Sequence, residues 1–239
     1  MKLKFHSVSE VFAAAPVDPL WLAFPLLTPG AITLLGGEPK MSGKTTLTFA
    51  TLRAMHMGDR FLGRETSSGR TLYLTEDPLT ALRQVIHRSR LPHDIPLDFV
   101  FRYELGVASW DEVGRHLVAI AARGRHSVVV LDTWNEFTSM SESDENDSGA
   151  VRRAIFPLRQ IAAMDVAVLI NHHFNKSDTD SVIRAMRGST ALPGAVDIVA
   201  GYRVIDDDLR ELEIRSRFDC ANGRYRVQVM HGRAEVGRL

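Results

Sequence analysis

The chain has 239 residues, 45% of them hydrophobic and 24% charged, with 29 Lys plus Arg balanced by 29 Asp plus Glu. That length and apolar content suit one large globular domain with a proper core, and the balanced charge excludes a general basic field for nucleic acid, so any DNA or RNA contact must be local. The single cysteine, Cys220, excludes an internal disulfide. The N-terminal stretch lacks the basic start and apolar core of a signal peptide, and no apolar run approaches the about 20 residues that cross a bilayer; a soluble cytoplasmic protein with no membrane partner is expected.

Ser7 to Ala15 opens with a Ser-x-x-Glu capping box (Ser7, Glu10) and predicts a short helix stopped by Pro16. Pro16, Pro19, Pro25 and Pro29 then punctuate a connector holding Trp21 and Phe24, so residues 1–29 read as an N-terminal segment and 30–239 as the main domain. From there strand and helix patterns alternate. "AITLL" reads as a buried strand, 44–56 as a helix, "TLYLT" as a strand and 79–89 as a helix. A third strand follows at 98–103, then a helix from Ser109 to Ala122 with its own capping box (Ser109, Glu112). "SVVVL" is a fourth strand, 149–163 a helix and "VAVLI" a fifth strand. Apolar strands separated by helices predict an α/β fold with a mainly parallel sheet covered on both faces. After residue 195 three strand-like runs follow without helices, which predicts an antiparallel C-terminal extension at one sheet edge. The acidic run "SMSESDENDSG" at 139–149 reads most simply as a solvated loop.

Between the first strand and its helix lies "GGEPKMSGKTTL". A phosphate loop needs glycine, four residues, then Gly-Lys-Ser/Thr, because backbone N–H groups at the helix start face the anion while lysine reaches the terminal phosphates and a hydroxyl binds magnesium. Here Gly43, Lys44 and Thr45 are in place, but Glu38 occupies the first glycine's position and Gly37 sits one residue early. The reading is a loop one residue longer than usual, over Gly37, Glu38, Pro39, Lys40, Met41, Ser42 and Gly43 into Lys44, Thr45 and Thr46. A plain glycine-rich turn before a helix is the alternative.

Magnesium bridging phosphates needs an acidic anchor at the end of a neighbouring strand, and Asp132 follows "SVVVL" directly in the Walker B manner. Hydrolysis needs a group that activates water. Glu76 ends the "TLYLT" strand at the same carboxyl edge and is the candidate; a merely solvated Glu76, or Asp77 as a helix cap, is the alternative. The paired His172 and His173 point to opposite faces of their strand, with no Cys or further His at ligand spacing, so a zinc site is not expected.

The order of the phosphate loop, "YLTED", "VVVLDTW", "DENDSG", "VLINHHFNKS", "RGSTALPGAVD" and "LEIRSRF" resembles the RecA-like P-loop ATPases, specifically the RepA-like branch related to the hexameric DnaB-type helicases. The resemblance runs from about Trp21 to Phe218. It implies ATP and Mg2+ as ligands, Glu76 as the water-activating glutamate, Asp132 as the magnesium-associated aspartate, and His172 or His173 as a γ-phosphate sensor. It further implies that Arg215 and Arg217 reach a neighbour's ATP in a homo-oligomeric ring, Arg217 being the favoured arginine finger. Single-stranded DNA would meet the loop 174–187, through Lys176, Arg184 and Arg187. Any primase or loader would be a separate chain. A histidine satisfied within the structure, a solvated edge strand and an ordinary surface loop are the corresponding plain alternatives, and a regulatory or recombination-type ATPase or a nucleotide-gated scaffold are the rival functions.

Overall fold

A computed structural model of the chain describes residues 3–14, 16–39, 42–173, 191–230 and 233–238. Among them, one sheet is built from β1 (Ile32–Gly37), β2 (Thr71–Thr75), β3 (Leu97–Phe101), β4 (Val128–Asp132), β5 (Ala167–His173), β6 (Ile198–Val204), β7 (Arg210–Ser216), β8 (Gly223–Met230) and β9 (Arg233–Arg238), in the order β3-β2-β4-β5-β1-β6-β7-β8-β9. The strands from β3 to β6 pair in parallel; β6 to β9 pair antiparallel. The central strands β1, β2 and β4 are buried at every residue, as parallel strands covered on both faces must be, whereas the edge strand β3 is only half-buried.

Alternate residues of each strand feed two cores. On one face Leu34, Leu74, Leu131 and Ile170 pack with α4 (Trp110–Ala121) and α7 (Ser148–Ala162) through Val113, Leu117, Ile155 and Leu158. A Cβ on Gly114 would lie 2.6 Å from Pro157 Cγ, so the missing side chain lets these two helices meet. Trp110 Nε1 donates to the Ala154 carbonyl across the same contact, at 2.7 Å. On the other face Leu35, Tyr73, Val130 and Leu169 pack with Leu47, Leu52 and Met55 of α2 (Lys44–Met57) and with Phe24, Leu26 and Leu27 of the connector. The remaining helices are α1 (Val8–Ala14), α3 (Leu79–Arg88), α5 (Trp134–Thr138), α6 (Glu142–Asn146) and the short Ala191–Ala195.

Both capping boxes form: Ser7 Oγ accepts from Glu10 N, and Ser109 Oγ accepts from Glu112 N. Several features depart from expectation, among them the short helix α5 directly after β4. The third strand stops at Phe101, and Arg102–Leu105 turn into a 3-10 helix. The acidic run is not a loop: Ser141 and Asp144 form a further capping box at the head of α6, and Asp147 caps α7 through Gly149 N. Its serines and aspartates stay exposed but serve helix starts, and Glu145 is buried where the Asn135 side chain donates to it. Finally β6, expected in the antiparallel extension, continues the parallel part beside β1, and β9 adds a strand that was not anticipated.

Candidate nucleotide site

The phosphate loop leaves the carboxyl end of β1 and enters α2 at Gly43, whose φ of 79° is in the left-handed region that glycine adopts without strain. Gly37 cannot carry a side chain: a Cβ there would lie 2.5 Å from Ser42 Oγ and 2.9 Å from the Tyr202 carbonyl. Ser42 Oγ in turn donates to the Glu38 carbonyl at 2.9 Å. Lys44 Nζ donates to the carbonyls of Gly37 (2.9 Å) and Glu38 (3.1 Å). The glycine that looks one residue early therefore sits where the loop needs backbone without bulk, and the extra residue falls between it and Ser42. Lys40 and Met41 lie outside the described residues. Burial pushes the Lys44 ammonium down to about 8, against the opposing charges of Asp132 and Glu38.

Asp132 ends β4 at the floor of the cleft and is 5% exposed. Its Oδ2 accepts from Thr45 Oγ1 at 3.1 Å and from the Tyr73 hydroxyl at 2.5 Å, and Asn171 of β5 is a further side-chain donor. Burial raises its pKa, and these three hydrogen bonds and Lys44 oppose the rise. A hydroxyl and a carboxylate in contact are hard oxygen donors that suit Mg2+, an ion that keeps most of its coordination for water and phosphate. Among the described residues no group of three or more His, Cys, Asp or Glu comes together as a metal cage.

Glu76 follows β2 and is tied once to Asp132 and once to Thr133. Its backbone N–H donates to the Asp132 carbonyl at 3.0 Å, and its Oε1 accepts from Thr133 Oγ1 at 3.3 Å. Asp77 is not the cap of α3: that position is Pro78, with no side-chain hydrogen bond. Asp77 faces the cleft instead, where burial and the Asp132 charge raise its pKa.

A cleft of about 370 Å³ joins these groups, lined by Glu38, Pro39 and Ser42 to Thr46, by Glu76, Asp77, Asp132 and Thr133, and by His173. Of the two histidines, β5 turns His172 into the interior beside Gly36, and only His173, beside Gly37, reaches the cleft; both are engaged by neighbouring groups. Val85 and Arg88 of α3 also line it. Sequence reasoning passed over both; their only signal is a three-residue spacing that puts them on one helix face shortly after Glu76.

Arg215 and Arg217 are not brought to this cleft. β7 runs antiparallel to β6, with Ser216 opposite Ile198 and Ile198 opposite Thr33, so the pair lies at the amino edge of the sheet, opposite the phosphate loop. Arg215 is held by the buried carboxylate of Glu213 at 2.8 Å, whereas Arg217 is 67% exposed and only 3.6 Å from Asp197. Lys176, Arg184 and Arg187 lie outside the described residues. No helix among the described residues is long and apolar enough to cross a membrane.

A family profile described as an AAA domain (AAA_25) matches residues 2–179. No curated protein sequence matches the chain significantly. Among solved structures, a KaiC-like protein of the hyperthermophilic archaeon Pyrococcus horikoshii superposes with a TM-score of 0.67 at 13% identity, over 93% of this chain and 100% of its own. The RadB recombinase superposes with a TM-score of 0.61 at 16% identity, over 87% of this chain and 91% of its own. The fold is thus RecA-like: a mostly parallel sheet flanked by helices, extended by antiparallel C-terminal strands.

Proposed function

The chain belongs to the AAA domain family, and from that premise we propose that it is a Mg2+-dependent ATP hydrolase of the RepA-like, helicase-related kind, assembled as a hexameric ring and acting on single-stranded DNA. The observation that carries the reading is the cleft floor, where Thr45 and Asp132 share a hydrogen bond while Glu76 is fastened to the Asp132 carbonyl. ATP binding draws Lys44 off the Gly37 and Glu38 carbonyls onto the phosphates. Thr45 and Asp132 are the residues that hold Mg2+, which supplies charge neutralisation at the phosphates. Glu76 orients the attacking water and accepts its proton, and Thr133 holds that carboxylate in place. His173 reports the terminal phosphate to the segment after β5, where Lys176, Arg184 and Arg187 contact DNA.

One subunit is incomplete in this scheme, because its own Arg217 stands at the far edge of the sheet. A neighbour supplies that guanidinium, which stabilises charge on the transferring phosphoryl group, and turnover therefore requires assembly. In the same scheme residues 30–239 form the ATPase domain, residues 1–29 precede it, and a primase or loader is a separate chain.

A second reading, a recombination-type or regulatory ATPase that binds a strand without unwinding, is favoured by the likeness to the RadB recombinase. The deciding experiment is Mg2+-dependent ATP turnover with and without single-stranded DNA, for the wild type and Glu76→Gln. Turnover stimulated by DNA and abolished by the substitution supports a nucleic-acid motor. Turnover indifferent to DNA supports the regulatory reading, and binding without turnover makes the chain a nucleotide-gated scaffold.

A further inference from the structure

The outward face of α7 takes no part in the nucleotide cleft. Val151, Ile155, Leu158 and Ile161 turn inward, which leaves Arg152, Phe156 and Arg159 on one exposed stripe at i, i+4 and i+7. Phe156 is 58% exposed, an unusual place for a phenyl ring between two guanidinium groups. Arg152 and Arg159 also line a groove of about 700 Å³ beside the contact between α7 and the short helix Ala191–Ala195, with Asn146, Ser148 and Gly194 on its walls.

The neighbouring acidic run does not cancel this charge. Asp144 is engaged with Ser141 and faces Arg153, Asp147 caps α7 through Gly149 N, and Glu145 is buried against Asn135. Among the described residues Arg152 forms no hydrogen bond or ion pair, and Arg159 Nη2 donates to the Ala195 carbonyl at 3.1 Å. Two cations about 10 Å apart along the helix, separated by an exposed ring, match the chemistry of an unpaired strand, whose phosphates need cations and whose bases need a stacking surface.

We propose that the groove beside α7 and the Ala191–Ala195 helix, together with the exposed α7 stripe that borders it, is a binding site for single-stranded nucleic acid, with Arg152 and Arg159 on phosphates of the strand and Phe156, on the stripe outside the groove, stacked on a base. The assignment rests on the strand-binding part of the proposed function and adds a surface separate from the loop 174–187. It also answers how a chain without net charge holds a polyanion: the cations are local, and a ring would repeat the stripe in every subunit.

The test measures fluorescence anisotropy of a labelled oligothymidylate with the wild type, Phe156→Ala and Arg152→Gln, in the presence of a non-hydrolysable ATP analogue and across a salt series. Both side chains are exposed, so unchanged thermal midpoints verify that the variants are folded. Phe156→Ala is expected to bind roughly tenfold more weakly, the loss of one stacked base. Arg152→Gln is expected to reduce the slope of log K against log salt by about 0.7, one phosphate contact on a single strand. Strand binding by the wild type that neither substitution changes overturns the groove and leaves the strand-binding reading intact. No strand binding by the wild type overturns both. Duplex bound as tightly as the strand overturns the stacking role of Phe156, and with it the site.

Discussion

The Tyr73 hydroxyl donates to Asp132 Oδ2 at 2.5 Å from a position with no solvent exposure. The carboxylate at the cleft floor is therefore oriented from the interior of the sheet, by the strand that also carries Glu76. Tyr73→Phe removes the donor and leaves a buried acceptor one bond short, a loss of roughly 1–3 kcal/mol. A lower thermal midpoint, together with a higher Mg2+ requirement for ATP binding, is the expected outcome by calorimetry and Mg2+ titration; an unchanged midpoint would show that the bond contributes nothing.

Gly37→Ala tests the displaced glycine. Its Cβ would collide with Ser42 Oγ and the Tyr202 carbonyl, one of them backbone, so the loop must move away from β6. ATP affinity should fall at least tenfold, measured by titration calorimetry, while Gly194→Ala, where a Cβ would meet nothing within 4 Å, serves as the control. Equal effects at both positions would mean that Gly37 has no special place in the loop.

Lys44 predicts opposite responses of binding and stability to pH. Its ammonium is depressed from 10.5 to about 8, so the unfolded chain holds more protons than the folded one between those values, and the stability of the nucleotide-free protein contributed by this group rises from about pH 8 upward. ATP needs the charged form, so affinity is constant below about pH 8 and then weakens toward tenfold per pH unit. Parallel melting and binding curves across pH 7 to about 10 check both signs; affinity that holds across the window would place the phosphates away from Lys44.

Arg217→Ala should remove assembly-dependent turnover, by about a thousandfold or more, if the guanidinium acts on a neighbour's nucleotide. Arg215→Ala should instead act mainly through the buried Glu213, which loses its 2.8 Å partner and destabilises the C-terminal strands. Turnover followed against protein concentration separates the two, since a wild type whose specific activity does not rise with concentration has no need of a second subunit.

Much of this molecule was readable from its residues. The strand order up to residue 173 and the helices α1 to α4 and α7 follow from apolar runs and caps, because buried parallel strands and amphipathic helices leave local marks, whereas the short helices α5 and α6 were not read. Lys44, Thr45, Glu76 and Asp132, which the fold brings to one cleft, were legible as candidates for the same reason: each stands next to the end of a strand or the start of a helix, where a short word of sequence stands out. The acidic run was misread because Ser and Asp serve equally in loops and at helix caps, and here they cap α6 and α7.

The residues by themselves determined the phosphate loop, the acidic partners and the alternating architecture, all of which depend on neighbours close in the chain. Tertiary structure decided that Gly37 has no room for a side chain, since the crowding comes from Ser42 where the loop folds back and from Tyr202 on β6. It alone decided that His173 and not His172 faces the cleft, that Val85 and Arg88 join it, and that Arg215 and Arg217 stand at the opposite edge. These outcomes depend on which strands lie side by side and in which register, and that is set by packing between segments more than a hundred residues apart, Gly37 opposite His173 and Gly37 opposite Tyr202.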